Sequence, residues 1–458
     1  MIIEKVKTDG LAHLSYLIAD GDQAVVIDPR RDTRIYEQLA TEHGCQVVAI
    51  FETHRNEDLI TGSPILAQRT GASIYHGPNA DQDIVYAQTV NEGFSMQLGR
   101  LRIDVIETPG HTYDSISLAL YDTEADNSHA VAVFTGDTLF IGDAGRTDFY
   151  PDEAEKVAGL MHDSIEKLLE LGDQTIIYPA HGAGSVCGGG LSDREFSTLG
   201  HERLTNPVLK FIGDRDAFIA QKTGEHHYRP PYFALMEQRN ADGEAPVLQQ
   251  ELPALSYQQF KQKGNRVWVD VRSVEAFSGH HVSGSLSLPV SMIAAYAGWL
   301  LKPAHEIVLL ADSEKEAHTA YAHFYRIGFD NVVGYWQINT NRWAVKTGDV
   351  AQINHIGVNA LAARLREDSD VQILDVRKSD EWRATGVIHG AYTAYLGHLA
   401  EKLGGLNSAK PVVVVCGSGQ RATVAASLLK LRGFNQVSVL WGGMNAWQAD
   451  FSTAPYTS

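Results

Sequence analysis

His54, His111 and Asp137 carry side chains that bind metals, and each stands just beyond an apolar run. The runs are residues 47–51, 103–106 and 131–134, and each reads as a strand that hands its polar group to a loop. Loops held by a rigid scaffold are where binding groups collect. Two imidazoles and one carboxylate on a single metal would leave coordination positions open. That set suits non-haem Fe(II) and oxygen chemistry, whereas a zinc hydrolase would want more nitrogen ligands. A fourth reactive group, Cys416, follows the apolar run 411–415 and opens Gly417-Ser418-Gly419-Gln420-Arg421. At a strand-to-helix turn a cysteine is ringed by backbone N–H groups and faces the positive end of the helix dipole. Both stabilise a thiolate and the terminal sulfur of a persulfide. Gly417 and Gly419 let the backbone curl round that sulfur. Arg421 is expected to hold either the loop or an anion such as sulfite or thiosulfate.

The elements that must position these groups fall into a repeat. Val267-Trp268-Val269-Asp270-Val271-Arg272 recurs as Gln372-Ile373-Leu374-Asp375-Val376-Arg377, and Arg326-Ile327-Gly328-Phe329 recurs as Leu431-Arg432-Gly433-Phe434. Both Asp270 to Asp375 and Phe329 to Phe434 are offsets of 105 residues. Each copy reads as strand, acidic helix, glycine-rich turn, strand, loop and helix, an α/β domain with a parallel sheet. In the first copy the counterpart of Cys416 is Ala311, and its loop, Asp312-Ser313-Glu314-Lys315-Glu316, has no glycine and is acidic. Lacking nucleophile and anion cradle, that copy is expected to be catalytically dead and to bridge the active domains or build an oligomer interface.

Length and composition bound the rest. At 458 residues, about three domains are expected. Residues 282–301 carry no Asp, Glu, Lys or Arg, yet serines, glycines and Pro289 interrupt them, so they read as loop plus buried helix and not as a membrane span. Met1 to Lys7 lacks a signal-peptide apolar core. Three cysteines make no disulfide framework, which fits a reducing cytoplasm. A net charge of −18 argues against nucleic acid or an anionic membrane as partner.

The motif set resembles a known family. Thr53 to Ser63 (T-H-R-N-E-D-L-I-T-G-S) is similar to the T-H-x-H-x-D-H signature of metallo-β-lactamase-fold hydrolases, with Asn56 and Leu59 where histidines would stand. Thr108-Pro109-Gly110-His111-Thr112, Thr135-Gly136-Asp137-Thr138, Gly145 to Phe149, Tyr178-Pro179-Ala180-His181-Gly182 and Glu202 to Pro207 continue the likeness to its persulfide dioxygenase branch. The 105-residue repeat resembles tandem rhodanese domains, and the six-residue span Cys416 to Arg421 matches sulfurtransferases, since related phosphatases use a loop one residue longer. The whole resembles bacterial persulfide dioxygenase–sulfurtransferase fusions.

This likeness implies an α/β multi-domain chain: a metallo-β-lactamase αββα sandwich at 1–245, an inactive rhodanese-like domain at 250–345 and an active one at 355–458. It implies one Fe(2+) per chain on His54, His111 and Asp137. Asparagine is a weak ligand and leucine none, so a second metal would keep at most Asp58 and His181 with Asp137 shared. Too few remain, and Asp58 is expected to orient the site by hydrogen bonding. The implied substrates are O2 and a low-molecular-weight thiol persulfide of glutathione or coenzyme A type. Sulfite would be formed, and Cys416 would make or use thiosulfate. Homo-oligomerisation is expected through the dead domain. Arg146 either contacts the carrier thiol or pairs with Asp148, and Cys187 is either a parking place for sulfur near the metal or a bystander. Cys45 is expected to be buried, and the pairs His226-His227 and His280-His281 to be solvated. Two rivals stand beside this reading. One is a zinc thioester hydrolase of the glyoxalase II kind with an appended sulfurtransferase. The other is a non-enzymatic sulfur carrier with a vestigial metal domain.

Overall fold

The computed structural model describes residues 1–185, 190–242, 247–262, 264, 266–338, 349–367 and 370–456. The chain divides into two compact units, Met1–Gln249 with Tyr325–Gly328, and Gln250–Phe324 with Phe329–Ser458.

The first unit holds two six-stranded sheets. One runs in sequence order through β1 (Ile2–Thr8), β2 (His13–Asp20), β3 (Gln23–Ile27), β4 (Gln46–Glu52), β5 (Ser73–His76) and β6 (Gln88–Thr89). The other comprises β7 (Ser95–Leu98), β8 (Leu101–Glu107), β9 (Ile116–Asp122), β10 (Ala132–Gly136), β11 (Ile176–Pro179) and β12 (Ser197–Thr198). Alternation along the strands decides the layering. Tyr16, Ile18, Val25, Ile27 and Phe51 of the first sheet share a core with Ile103, Val105, Leu118, Leu120 and Phe134 of the second. The opposite faces bury Val26, Ile50 and Val47 against α1 (Arg34–Glu42) and α2 (Ser63–Thr70), and Ala119, Val133 and Ile177 against α3 (Ala154–Leu169) and α4 (Arg215–Thr223). In α3 the buried Val157, Met161, Ile165 and Leu168 recur at helical spacing. This is the expected αββα sandwich.

The repeat in the second unit is a repeat of topology. The middle domain orders its parallel strands as Leu286–Ser287, Val267–Asp270, Ile307–Ala311 and Val332–Gln337. The last domain orders Tyr392–Thr393, Gln372–Asp375, Val412–Val415 and Val437–Leu440 the same way, and adds Asn354–Ile356 at the far edge. In both, the Asp-Val-Arg motif is structural: Asp270 and Asp375 each receive a two-pronged bond from Arg272 and Arg377, at 2.8–2.9 Å and 2.7–3.0 Å. Within residues 282–301 lie the edge strand Leu286–Ser287, turns and the largely buried helix Ile293–Leu300. Among the described residues no helix is long and apolar enough to cross a membrane.

One expectation is corrected here. His281 is buried, stacks on Phe277 at 3.8 Å and donates from Nδ1 to the Phe277 carbonyl at 2.8 Å. Its polar neighbours in sequence hid a helix end that turns the ring inward. Cys45 is buried as expected.

Candidate metal centre and cysteine loop

Strand ends build the first site. His54 lies two residues past β4, His111 in the loop after β8, Asp137 directly after β10 and His181 two residues past β11. The donor atoms of His54, His111 and Asp137 all lie within 4.8 Å of one another, and all three residues are buried. Close backbone approach makes this possible. Gly136 (φ 52°) sits where a Cβ would come within 2.7 Å of the Thr53 hydroxyl, and at Gly145 a Cβ would strike the Asp137 carbonyl at 1.9 Å.

Hydrogen bonds fix which nitrogen of each ring faces the centre. His111 Nδ1 donates to the Arg146 carbonyl at 2.9 Å. Thr53 Oγ1 donates to Asp28 at 2.8 Å and accepts from His54 Nδ1 at 2.9 Å, while the Thr53 N–H also reaches Asp28, at 2.7 Å. Both Nε2 atoms are therefore left for the centre, buried and without a hydrogen bond of good geometry. Asp28 is held at φ 48°, an uncommon conformation for a residue with a side chain, and burial raises its carboxyl to about 7.

His181 joins two carboxylates. Its Nδ1 is 2.7 Å from Asp137, and its Nε2 lies 3.0 Å from Asp58. Burial would lower its basicity, but Asp137 and Asp58 outweigh that and raise it well above the usual imidazole range. Asp58 thus meets the site through His181. Asn56 and Leu59, buried in the same loop, supply no second imidazole.

Glu57 was missed by sequence reasoning. It is buried, with one carboxylate oxygen 3.3 Å from His111 Nε2 and the other 3.8 Å from His54 Nε2. Burial pushes its carboxyl up, but His111 and His54 outweigh it and bring it down to about 2. Reciprocally, burial pulls His111 down while Glu57 and Asp137 carry it up to about 9. His54 is lowered by burial. The histidine signature that this loop resembles leaves position 57 unspecified, so it carries no signal for the acid between Asn56 and Asp58. Asp114 was also missed: it accepts from the Arg55 N–H at 2.7 Å and sits 3.2 Å from His76, pinning the same loop.

Arg146 is fully buried and binds Asp148 through two bonds, at 2.6 and 2.7 Å, so its side chain is structural while its carbonyl serves His111. A cavity of about 390 Å³ includes His13, Tyr178 and His181 in its wall and touches none of His54, His111 and Asp137. Cys187 lies outside the described residues.

The second site is the loop after Val412–Val415. Cys416 Sγ, buried, accepts from the N–H groups of Gly419 at 3.1 Å and Ala422 at 3.4 Å. Gly419 (φ 113°) caps the helix Gln420–Leu431, whose N-terminus faces the sulfur. Arg421 is clamped to Glu381 by two bonds, at 2.6 and 2.7 Å. It therefore braces the loop; Glu381 was not legible because its partner lies forty residues on. A cavity of about 240 Å³ runs past Ser418, Gln420 and Trp441 and has Val274 and Glu275 of the middle domain in its wall. That domain also packs Trp299 edge-on against Tyr395 and His398. Ala311 stands, buried, where a nucleophile would be.

The comparisons with known proteins follow this division. The family model described as the metallo-beta-lactamase superfamily matches residues 8–181, and that of the rhodanese-like domain matches 254–337 and again 358–450. The bovine (Bos taurus) protein persulfide dioxygenase ETHE1, mitochondrial, is 35% identical over 203 residues, 43% of this chain and 70% of that protein. The chain belongs to the persulfide dioxygenase family. Two rhodanese-like domains follow its metallo-β-lactamase-fold domain. A crystal structure described as a metallo-beta-lactamase from Staphylococcus aureus shares 30% identity with this dioxygenase-family chain, with a TM-score of 0.65, and covers 73% of this chain and 98% of its own. Hydroxyacylglutathione hydrolase of Tolumonas auensis is 31% identical over 169 residues, 36% of this chain and 60% of that protein.

Proposed function

We propose that this protein oxidises a low-molecular-weight thiol persulfide with O2 to sulfite at an iron centre, and that Cys416 couples sulfite to sulfane sulfur in thiosulfate. The observation that carries the reading is the pair of buried Nε2 atoms of His54 and His111, left without good hydrogen bonds beside Asp137. That donor set fits a divalent metal, and His54, His111 and Asp137 would hold it. Fe(II) there would supply open positions at which a persulfide sulfur and O2 can meet. Thr53 and the Arg146 carbonyl fix the two rings, and His181 holds the Asp137 carboxylate.

The overall change balances as RSSH + O2 + H2O → RSH + SO3²⁻ + 2H⁺, with sulfur oxidised and O2 reduced. In the second step the Cys416 thiolate takes the outer sulfur of a second RSSH, releasing RSH. The sulfite sulfur then attacks the terminal sulfur of the Cys416 persulfide, giving S2O3²⁻ and the Cys416 thiolate. The residues serve the reverse direction equally. The Gly419 and Ala422 N–H groups receive the thiolate, each bond to a charged group being worth about 1.5–3 kcal/mol. A glutathione or coenzyme A persulfide is the carrier, and a reducing cytoplasm the setting that keeps Cys416 available. The domains are 1–245, 250–345 and 355–458.

Asn56 and Leu59 count against the thioester-hydrolase reading, because they leave a second metal without its nitrogen ligands. The discriminating experiment loads the apoprotein anaerobically with Fe(II) or Zn(II) and offers glutathione persulfide or a glutathione thioester. O2 consumption by the iron form with persulfide supports the proposal. Thioester hydrolysis by the zinc form, without O2 uptake by the iron form, overturns it.

A further inference from the structure

We infer that Glu57 is a fourth ligand, so that the centre holds its metal with two imidazoles and two carboxylates. This rests on the reading that the site binds a metal at all. Donor atoms that share a metal through bonds of about 2.1 Å lie roughly 3–3.5 Å apart. Toward His111 Glu57 meets that measure as Asp137 does: its oxygen is 3.3 Å from His111 Nε2, and that of Asp137 is 3.5 Å. Its other oxygen lies 3.8 Å from His54 Nε2, a few tenths of an ångström beyond that range. The carboxylate is also buried, and a buried charge is retained only where cations or a metal compensate it.

The chemistry is self-consistent. The loop that has Asn56 and Leu59 in place of two imidazoles brings one oxygen donor to the remaining metal. A set of two nitrogens and two oxygens is harder than the usual donors of zinc and favours Fe(II) or Mn(II). The carboxylates of Asp137 and Glu57 would together neutralise a dication. In six-coordination four ligands leave two positions, one for each of two reactants.

The test is equilibrium binding of Co(II) and Fe(II) against a chromophoric chelator, with the visible spectrum of the Co(II) form, for wild type, Glu57→Gln, Glu57→Ala and the neighbouring control Asn56→Ala. Both Glu57 variants are expected to bind at least about 10-fold more weakly with a changed Co(II) spectrum, and Asn56→Ala to stay near wild type. Unchanged affinity and spectrum in the Glu57 variants overturn the inference and leave the metal reading intact. No uptake by wild type overturns both. Because Glu57 is buried, a second readout needs no substitution: in crystals of the Co(II) wild type, a Glu57 oxygen within about 2.2 Å of the metal is expected. A Glu57 that lies beyond bonding distance overturns the inference.

Discussion

Thr53 illustrates how little freedom the ligands have. Its hydroxyl spends its proton on Asp28 and so offers His54 a lone pair, which commits the His54 proton to Nδ1. Thr53→Val keeps the shape and removes the acceptor. Metal affinity is expected to fall about 10-fold, read by chelator competition, with far-UV circular dichroism unchanged. Unaltered affinity would show that His54 needs no such partner. Arg146 teaches a related lesson, since its charge pairs with Asp148 while its carbonyl orients His111. Sequence motifs identified the position and left open which part of the residue acts.

The cysteine loop and its brace belong to the scale of elements. The helix Gln420–Leu431 aims its N-terminus at Cys416, but the loop is held by Arg421 and by Glu381 of the helix Ser379–Thr385. Glu381→Gln removes one charge from a two-pronged bond that only carboxylate geometry satisfies. Transfer of sulfur from thiosulfate to cyanide is expected to fall 10-fold or more, while O2 uptake with persulfide stays within twofold. Equal loss of both would mean that the clamp supports the whole molecule. The middle domain offers another test. Burial first, and nearby Arg272, bring His281 down to about 4, so the ring is neutral in the folded state while an unfolded chain takes up a proton below about 6.5. Stability is then complete above pH 6.5 and is lost as pH falls toward 4, by at most about 3 kcal/mol. His281→Asn keeps a donor for the Phe277 carbonyl and cannot titrate. Its melting temperature should fall less than that of wild type between pH 7 and pH 4.5, and identical slopes would contradict this.

For the molecule as a whole, the two compact units predict separable unfolding. Metal should raise the transition of the unit that contains His54 and leave the other in place, with about 2.7 kcal/mol gained at a hundredfold excess over the dissociation constant. A chelator that shifts both transitions equally in a scanning calorimeter would contradict this. Much of the architecture was legible because it is written in periodic patterns. The 105-residue offset returned as matched strand orders, and three apolar runs delivered His54, His111 and Asp137 to one place. Glu57, Glu381 and the inward turn of His281 were not legible, because each depends on how a loop or helix end folds and not on residue type or spacing. The middle domain shows the same limit: its missing nucleophile was readable, its walling of the cavity beside Ser418 was not. The central claim is that two chemistries are coupled in one chain, and O2 uptake by the iron form given glutathione persulfide tests it most directly, with sulfite and thiosulfate quantified. Wild type should consume O2, His111→Ala should not, and Cys416→Ser should consume it while product shifts from thiosulfate to sulfite. Iron-loaded wild type that consumes no O2 with either glutathione or coenzyme A persulfide would contradict the account.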